Sequence, residues 1–125
     1  MHLTVTRLAD DRLARLPGGR PYGADLVRAW RNKPGGFWVA SADPAAAHQA
    51  VRGSAGLDSV TDAALCTDGV TRLAEWYGYS WPDIFARLRA AGPDGIIALL
   101  RAAETQRPHP GAKQHDDATV VHVRF

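Results

Sequence analysis

Cysteine is almost absent from this sequence. Cys66 stands alone, so the chain closes no internal disulfide and builds no cysteine-rich zinc site. Such usage points to a reducing cytoplasm. No apolar run approaches the roughly 20 residues that span a bilayer. The N-terminal residues Met1-His2-Leu3-Thr4-Val5 lack the charged-then-apolar order of a signal peptide. The expectation is therefore no membrane. Neither GxGxxG nor GxxxxGK[ST] occurs, so nucleotide binding by those glycine-rich devices is unsupported. Lysine is scarce as well: Lys33 and Lys113 are the two lysines among 15 basic residues, and the other 13 are arginine.

What is present suits a globular protein of a single domain. The 125 residues are 46% hydrophobic and 22% charged, an ordinary balance. The net charge of +2 divides unevenly. Residues 1–53 carry eight basic and four acidic side chains, and residues 54–125 carry seven and nine. The basic residues Arg7, Arg12, Arg15, Arg20, Arg28, Arg31 and Lys33 are spread among turns and a helix. Phosphate neutralisation on nucleic acid needs them on one face. They read as a solvated surface, with no nucleic-acid partner.

Periodicity divides the chain into short elements. Alternation of Leu3 and Val5 with Thr4 and Thr6 predicts a strand over residues 3–8. Leu26, Val27 and Trp30 share a helical stripe within residues 22–31, and Pro34-Gly35-Gly36 ends it. Residues 37–41 read as a strand. Asp43-Pro44 opens a helix over residues 45–51. Residues 63–67 form a short buried-strand pattern broken by Asp68-Gly69, and residues 70–77 resume helical spacing. Ser80 caps a helix carrying Ile84, Phe85, Leu88 and Ala91 and ending at Gly92. Pro93-Asp94 starts another with Ile96, Ile97, Leu99, Leu100 and Ala103. Residues 106–115 read as an exposed loop, and residues 118–125 as a closing strand. The class is α+β.

Two acidic clusters stand apart from the helices. Leu65-Cys66-Thr67-Asp68-Gly69 places an aspartate where a buried strand meets a turn. His115-Asp116-Asp117-Ala118-Thr119-Val120-Val121 places two where the last strand begins. Hard divalent cations take carboxylates on rigid elements and keep several waters, so one or two carboxylates per segment suffice. His109, His115 and His122 read as surface histidines, Cys66 as a small core residue, and Trp30, Trp38, Trp76 and Trp81 as packing residues.

In order, the two clusters resemble the C-terminal half of the metal-dependent protein phosphatase family (PPM type, PP2C-like). That family carries a hydrophobic strand ending in Ser/Thr-Asp-Gly, then helices, then a last strand opening with Asp-Asp/Asn-x-Ser/Thr. The match is best over residues 57–125, with residues 1–125 forming a partial phosphatase domain. The resemblance implies part of a four-layer α-β-β-α sandwich with antiparallel sheets. It implies a binuclear Mn²⁺ or Mg²⁺ site with Asp68 and Asp116 as ligands and Asp117 beside them, where many members have Asn. No catalytic residue beyond the metal ligands is implied. The implied activity is hydrolysis of phosphoserine or phosphothreonine on a protein substrate, in a bacterial cytoplasm. The family's first-half motifs, Asp-Gly-x-Gly-Gly and Gly-Asp-Ser/Ala, do not occur. The sequence therefore reads as a truncated C-terminal part lacking the N-terminal strands, or alternatively as a non-catalytic interaction or complementing module. Arg15, Arg20, Arg31 and Lys33 are further candidates for meeting a phosphorylated substrate beside the metal site.

Overall fold

A computed structural model describes residues 4–18 and 21–125. They fall into two compact units, one of residues 7–54 and one of residues 55–125 with residues 4–6.

The first unit is mostly turns. Helix α1 spans Ala24–Trp30 and helix α2 spans Ala45–His48. The Oδ1 atom of Asp43 accepts the amide of Ala45 at 2.9 Å. The helix stops at Gln49, where ψ is 4°, short of the expected residue 51. The strand expected over 37–41 is reduced to one bridge between Arg31 and Phe37. The reason lies in Asn32. Its amide donates to Phe37, but its side-chain Oδ1 takes the amide of Val39 at 2.8 Å. A side chain thus satisfies the donor that a neighbouring strand would have needed. Leu16 and Phe37 are the buried apolar residues of this unit.

The strand expected over residues 3–8 is not formed across residues 4–8, and Leu3 lies outside the described residues. Alternation alone does not make a strand without a neighbour to share its hydrogen bonds. Leu8 is exposed.

The second unit carries the regular structure. Strand β1 spans Asp62–Cys66, helix α3 Asp68–Glu75, helix α4 Trp81–Gln106 and strand β2 Val120–Arg124. The two strands pair antiparallel, with Ala64 opposite His122, Leu65 opposite Val121 and Cys66 opposite Val120. The Ser80 hydroxyl accepts the Asp83 amide at 3.2 Å, as a helix cap should. Helix α4 breaks at Gly92, whose φ of 71° and ψ of −176° suit only glycine. Pro93 then restarts the helix, matching the two-helix expectation.

Val70, Leu73, Tyr77, Ile84, Leu88, Ile96, Leu100 and Ala103 form the core. Ala64, Cys66 and Val120 close it from the sheet. The strand period of two sends their neighbours the other way. Leu65 is 63% exposed, Val121 49% and Phe125 64%. The class is therefore α+β, with helices covering one face of a two-stranded sheet. No helix among the described residues is long and apolar enough to cross a membrane.

Candidate functional site

The two acidic motifs meet at one end of the sheet. Continuing the register past Cys66 and Val120 sets Thr67 beside Thr119. The Thr67 amide donates to the Thr119 carbonyl at 3.0 Å. The Thr119 amide donates to the Thr67 hydroxyl at 2.9 Å. Thr67 therefore spends its side chain across the sheet, although its position before α3 would suit a helix cap. One residue further, Gly69 lies against the backbone of Asp117. A Cβ on Gly69 would overlap the Asp117 carbonyl oxygen and stand 3.0 Å from its carbonyl carbon. The absence of a side chain is what lets α3 begin so close to the second motif.

The three sequence-predicted aspartates have different surroundings. Asp68 sits in the first turn of α3, where the helix dipole favours a carboxylate. It is exposed, and its carboxylate has no hydrogen-bond or ion-pair partner among the described residues. Asp117 is exposed too, and its side chain is equally unpartnered there. Asp116 is half-buried and engaged. Its Oδ2 lies 3.4 Å from Arg72 Nη2, its Oδ1 accepts the Asp117 amide at 3.0 Å, and Lys113 Nζ is 3.8 Å away. As donors to a hard cation, Asp68 and Asp117 are free, whereas Asp116 must first exchange Arg72 for the ion. Among the described residues, no group of three or more His, Cys, Asp or Glu side chains gathers to hold a metal. What exists is a pair of exposed carboxylates on the residues that adjoin the Gly69 contact in the chain.

Behind the aspartates runs a buried ionic network that sequence reasoning missed. Arg72 Nη1 bonds Glu104 Oε2 at 2.8 Å and the Lys113 carbonyl at 3.1 Å. Glu104 is fully buried and also accepts from Arg101 at 2.8 Å. Arg101 in turn holds the Asp116 carbonyl at 2.8 Å. The Arg72 guanidinium lies 4.4 Å from the Trp76 ring centroid, and His109 stacks on the same indole at 4.1 Å. These contacts clamp the segment after α4 to α3, and so fix where the second motif begins. The signal was available: Glu104 continues the apolar stripe of Ile96, Leu100 and Ala103. A carboxylate on such a stripe demands a buried cation.

A second cluster corrects the reading of His122 as a surface residue. Its Nε2 lies 2.7 Å from Asp62 Oδ2, and its side chain is 8% exposed. Arg89 Nε holds the same oxygen at 3.0 Å, and Arg89 Nη2 bonds Asp62 Oδ1. Arg89, with His122 and Thr61 assisting, holds the Asp62 carboxyl well below the usual carboxylate range. A carboxyl lowered on folding stabilises the fold above its unfolded value, near pH 4, and loses that contribution as pH falls toward the folded value. We expect the urea midpoint to drop between pH 5 and pH 2, and the Asp62→Asn variant to drop less over that window. Equal drops in both proteins contradict the assignment. Cys66 is half-buried, and burial pushes its thiol pKa up. That disfavours the thiolate, and Cys66 packs against the core as a small residue.

No protein-family model, no curated protein and no solved structure matches the chain.

Proposed function

We propose that the chain forms the C-terminal portion of a metal-dependent protein phosphatase domain, acting on phosphoserine or phosphothreonine of a cytoplasmic protein substrate. The observation that carries this reading is the meeting of Thr67-Asp68-Gly69 with Asp116-Asp117-Ala118-Thr119 at one sheet end. Residues 52 apart exchange hydrogen bonds there, as the resemblance requires. Asp68 and Asp117 offer free carboxylates to Mn²⁺ or Mg²⁺, and Asp116 joins once Arg72 lets go. The ions, when bound, supply an acidified water and offset charge on the phosphoryl oxygens. The chain's own residues position: the Thr67–Thr119 bonds bring the two motifs to one sheet end, and Arg72 and Arg101 hold the second motif in place. The open apolar face bearing Leu65, Val121 and Phe125 suits a second sheet of a four-layer sandwich.

That same face favours a second reading, a complementing module without catalysis of its own. A half-built site gives weak metal binding and little turnover in either case. Mn²⁺ titration followed by electron paramagnetic resonance tests the metal claim. Asp68→Asn is expected to weaken Mn²⁺ by at least about tenfold, the least that even outer partners of a metal ligand cost. Asp83→Asn, an exposed carboxylate at the start of α4, should leave it unchanged. Identical titrations for all three proteins reject both metal and phosphatase. Brisk Mn²⁺-dependent hydrolysis of p-nitrophenyl phosphate by the 125-residue chain contradicts the incomplete-site description.

A further inference from the structure

The unit of residues 7–54 holds a groove of about 580 Å³ that the aspartate motifs do not touch. This lies within the range of roughly 300–1,000 Å³ typical of small-molecule sites. Leu16, Pro17 and Pro34 supply apolar wall, and Trp30 and Trp38 supply two indoles. Its framework is fixed by local bonds. Arg12 clasps Asp10 through Nε at 2.9 Å and Nη2 at 2.6 Å, and Nη2 also holds the Gln49 carbonyl at 2.8 Å. Gly36 packs tightly under Trp30, where a Cβ would stand 3.0 Å from the Trp30 Cβ. The amide of Phe37 returns to the Trp30 carbonyl at 3.2 Å.

Neither Trp30 nor Trp38 has a hydrogen-bond acceptor for its indole N–H among the described residues, and no ring or guanidinium there stacks on either indole. Asp10 is consumed by Arg12. Arg15, also lining the groove, pairs with Asp11 at 3.0 Å, but both side chains are 68% exposed. A pair so solvated is worth little and yields to a stronger acceptor. Two lining indoles whose N–H groups have no acceptor among the described residues, with the exposed Arg15 guanidinium, suit an anion with several terminal oxygens. A phosphate monoester has three and carries about −1.5 to −2 charge. Indoles and prolines in the groove wall suit a flat ring beside it.

We infer that this groove binds a phosphate monoester attached to a planar ring, chemistry shared by a nucleoside monophosphate and a phosphotyrosine side chain. None of its lining residues belongs to the aspartate motifs. The test is carried out on the whole chain in chelator-containing buffer, by following the four indole N–H signals in ¹H–¹⁵N spectra. Single Trp→Phe variants assign them. AMP and free phosphotyrosine are titrated in separate arms, with adenosine and inorganic phosphate as controls. The expected result is saturable movement of the Trp30 and Trp38 signals while those of Trp76 and Trp81 stay in place. Whichever ring phosphate binds tighter identifies the source. Adenosine and inorganic phosphate should each bind at least about tenfold more weakly, and Arg15→Ala should weaken the ring phosphate about tenfold, as loss of a charged hydrogen bond does. Arg15 is exposed, so this variant keeps its fold, which the unchanged remainder of the spectrum verifies. Failure of both ring phosphates to shift Trp30 and Trp38 overturns the assignment. So do equal movement of all four signals, equal binding of inorganic phosphate, and indifference to Arg15→Ala.

Discussion

Glu104→Ala is expected to lower stability by about 3–5 kcal/mol, the usual cost of removing one partner from a buried ion pair. Glu104 is fully buried and Arg72 is 5% exposed. With the carboxylate gone, the Arg72 guanidinium keeps the Lys113 carbonyl and the distant Asp116 oxygen, neither of which replaces a bond of 2.8 Å. Urea denaturation of the variant reads the loss. The double variant Arg72→Met/Glu104→Leu is expected to recover much of it, because two apolar side chains of similar volume leave no charge stranded. A single-variant loss below about 1 kcal/mol, the scale of an exposed pair, contradicts the buried network.

Gly69→Ala carries the second large effect. The added methyl meets the Asp117 carbonyl and the Ala118 Cα at 3.3 Å. Both are backbone, so no rotamer change relieves the contact, and the start of α3 must part from the second motif. Overpacking of this kind costs about 1–3 kcal/mol. The Thr67–Thr119 hydrogen bonds, two residues away, strain with it. Amide exchange at Thr119 should therefore accelerate more than at Leu100, which sits in the core of α4. Gly23→Ala is the control: a Cβ there meets nothing within 4 Å, and the expected change is within about 0.5 kcal/mol. Equal effects at the two glycines remove the close approach from the account of the site.

Helical stripes were the most legible part of the sequence. Ile84, Leu88, Ile96 and Leu100 reached the core as their spacing indicated, and Gly92-Pro93 marked the break in α4. Local chemistry carried that information. The strands were legible where a partner existed: β1 and β2 each fall within a residue or two of their expected limits. Residues 4–8 alternate and residues 37–41 begin as an apolar run, yet neither becomes a strand of a ladder, because pairing is a property of two segments and one segment does not encode its neighbour. The meeting of the two motifs at one sheet end was legible through their order, with Asp68 and Asp116 the pair expected to share an ion. The engagement of Asp116 by Arg72 was not, since it depends on a cation from α3 and a carboxylate from α4 arriving at one buried point. His122 was misjudged for the same reason: its polar partner Asp62 lies 60 residues away.

The exposed segment 107–111 has a role beyond joining α4 to β2. It is a tether. It keeps β2 on the same chain as β1, so that their pairing is an intramolecular event. Closing the loop between Thr67 and Thr119, 52 residues apart, costs about 3.5 kcal/mol of chain entropy by the logarithmic loop-length rule. The covalent chain absorbs that cost once. A protease cut at 107–111 would turn the sheet into a two-chain complex, and dilution below its dissociation constant would release the last strand, taking Asp116 and Asp117 with it.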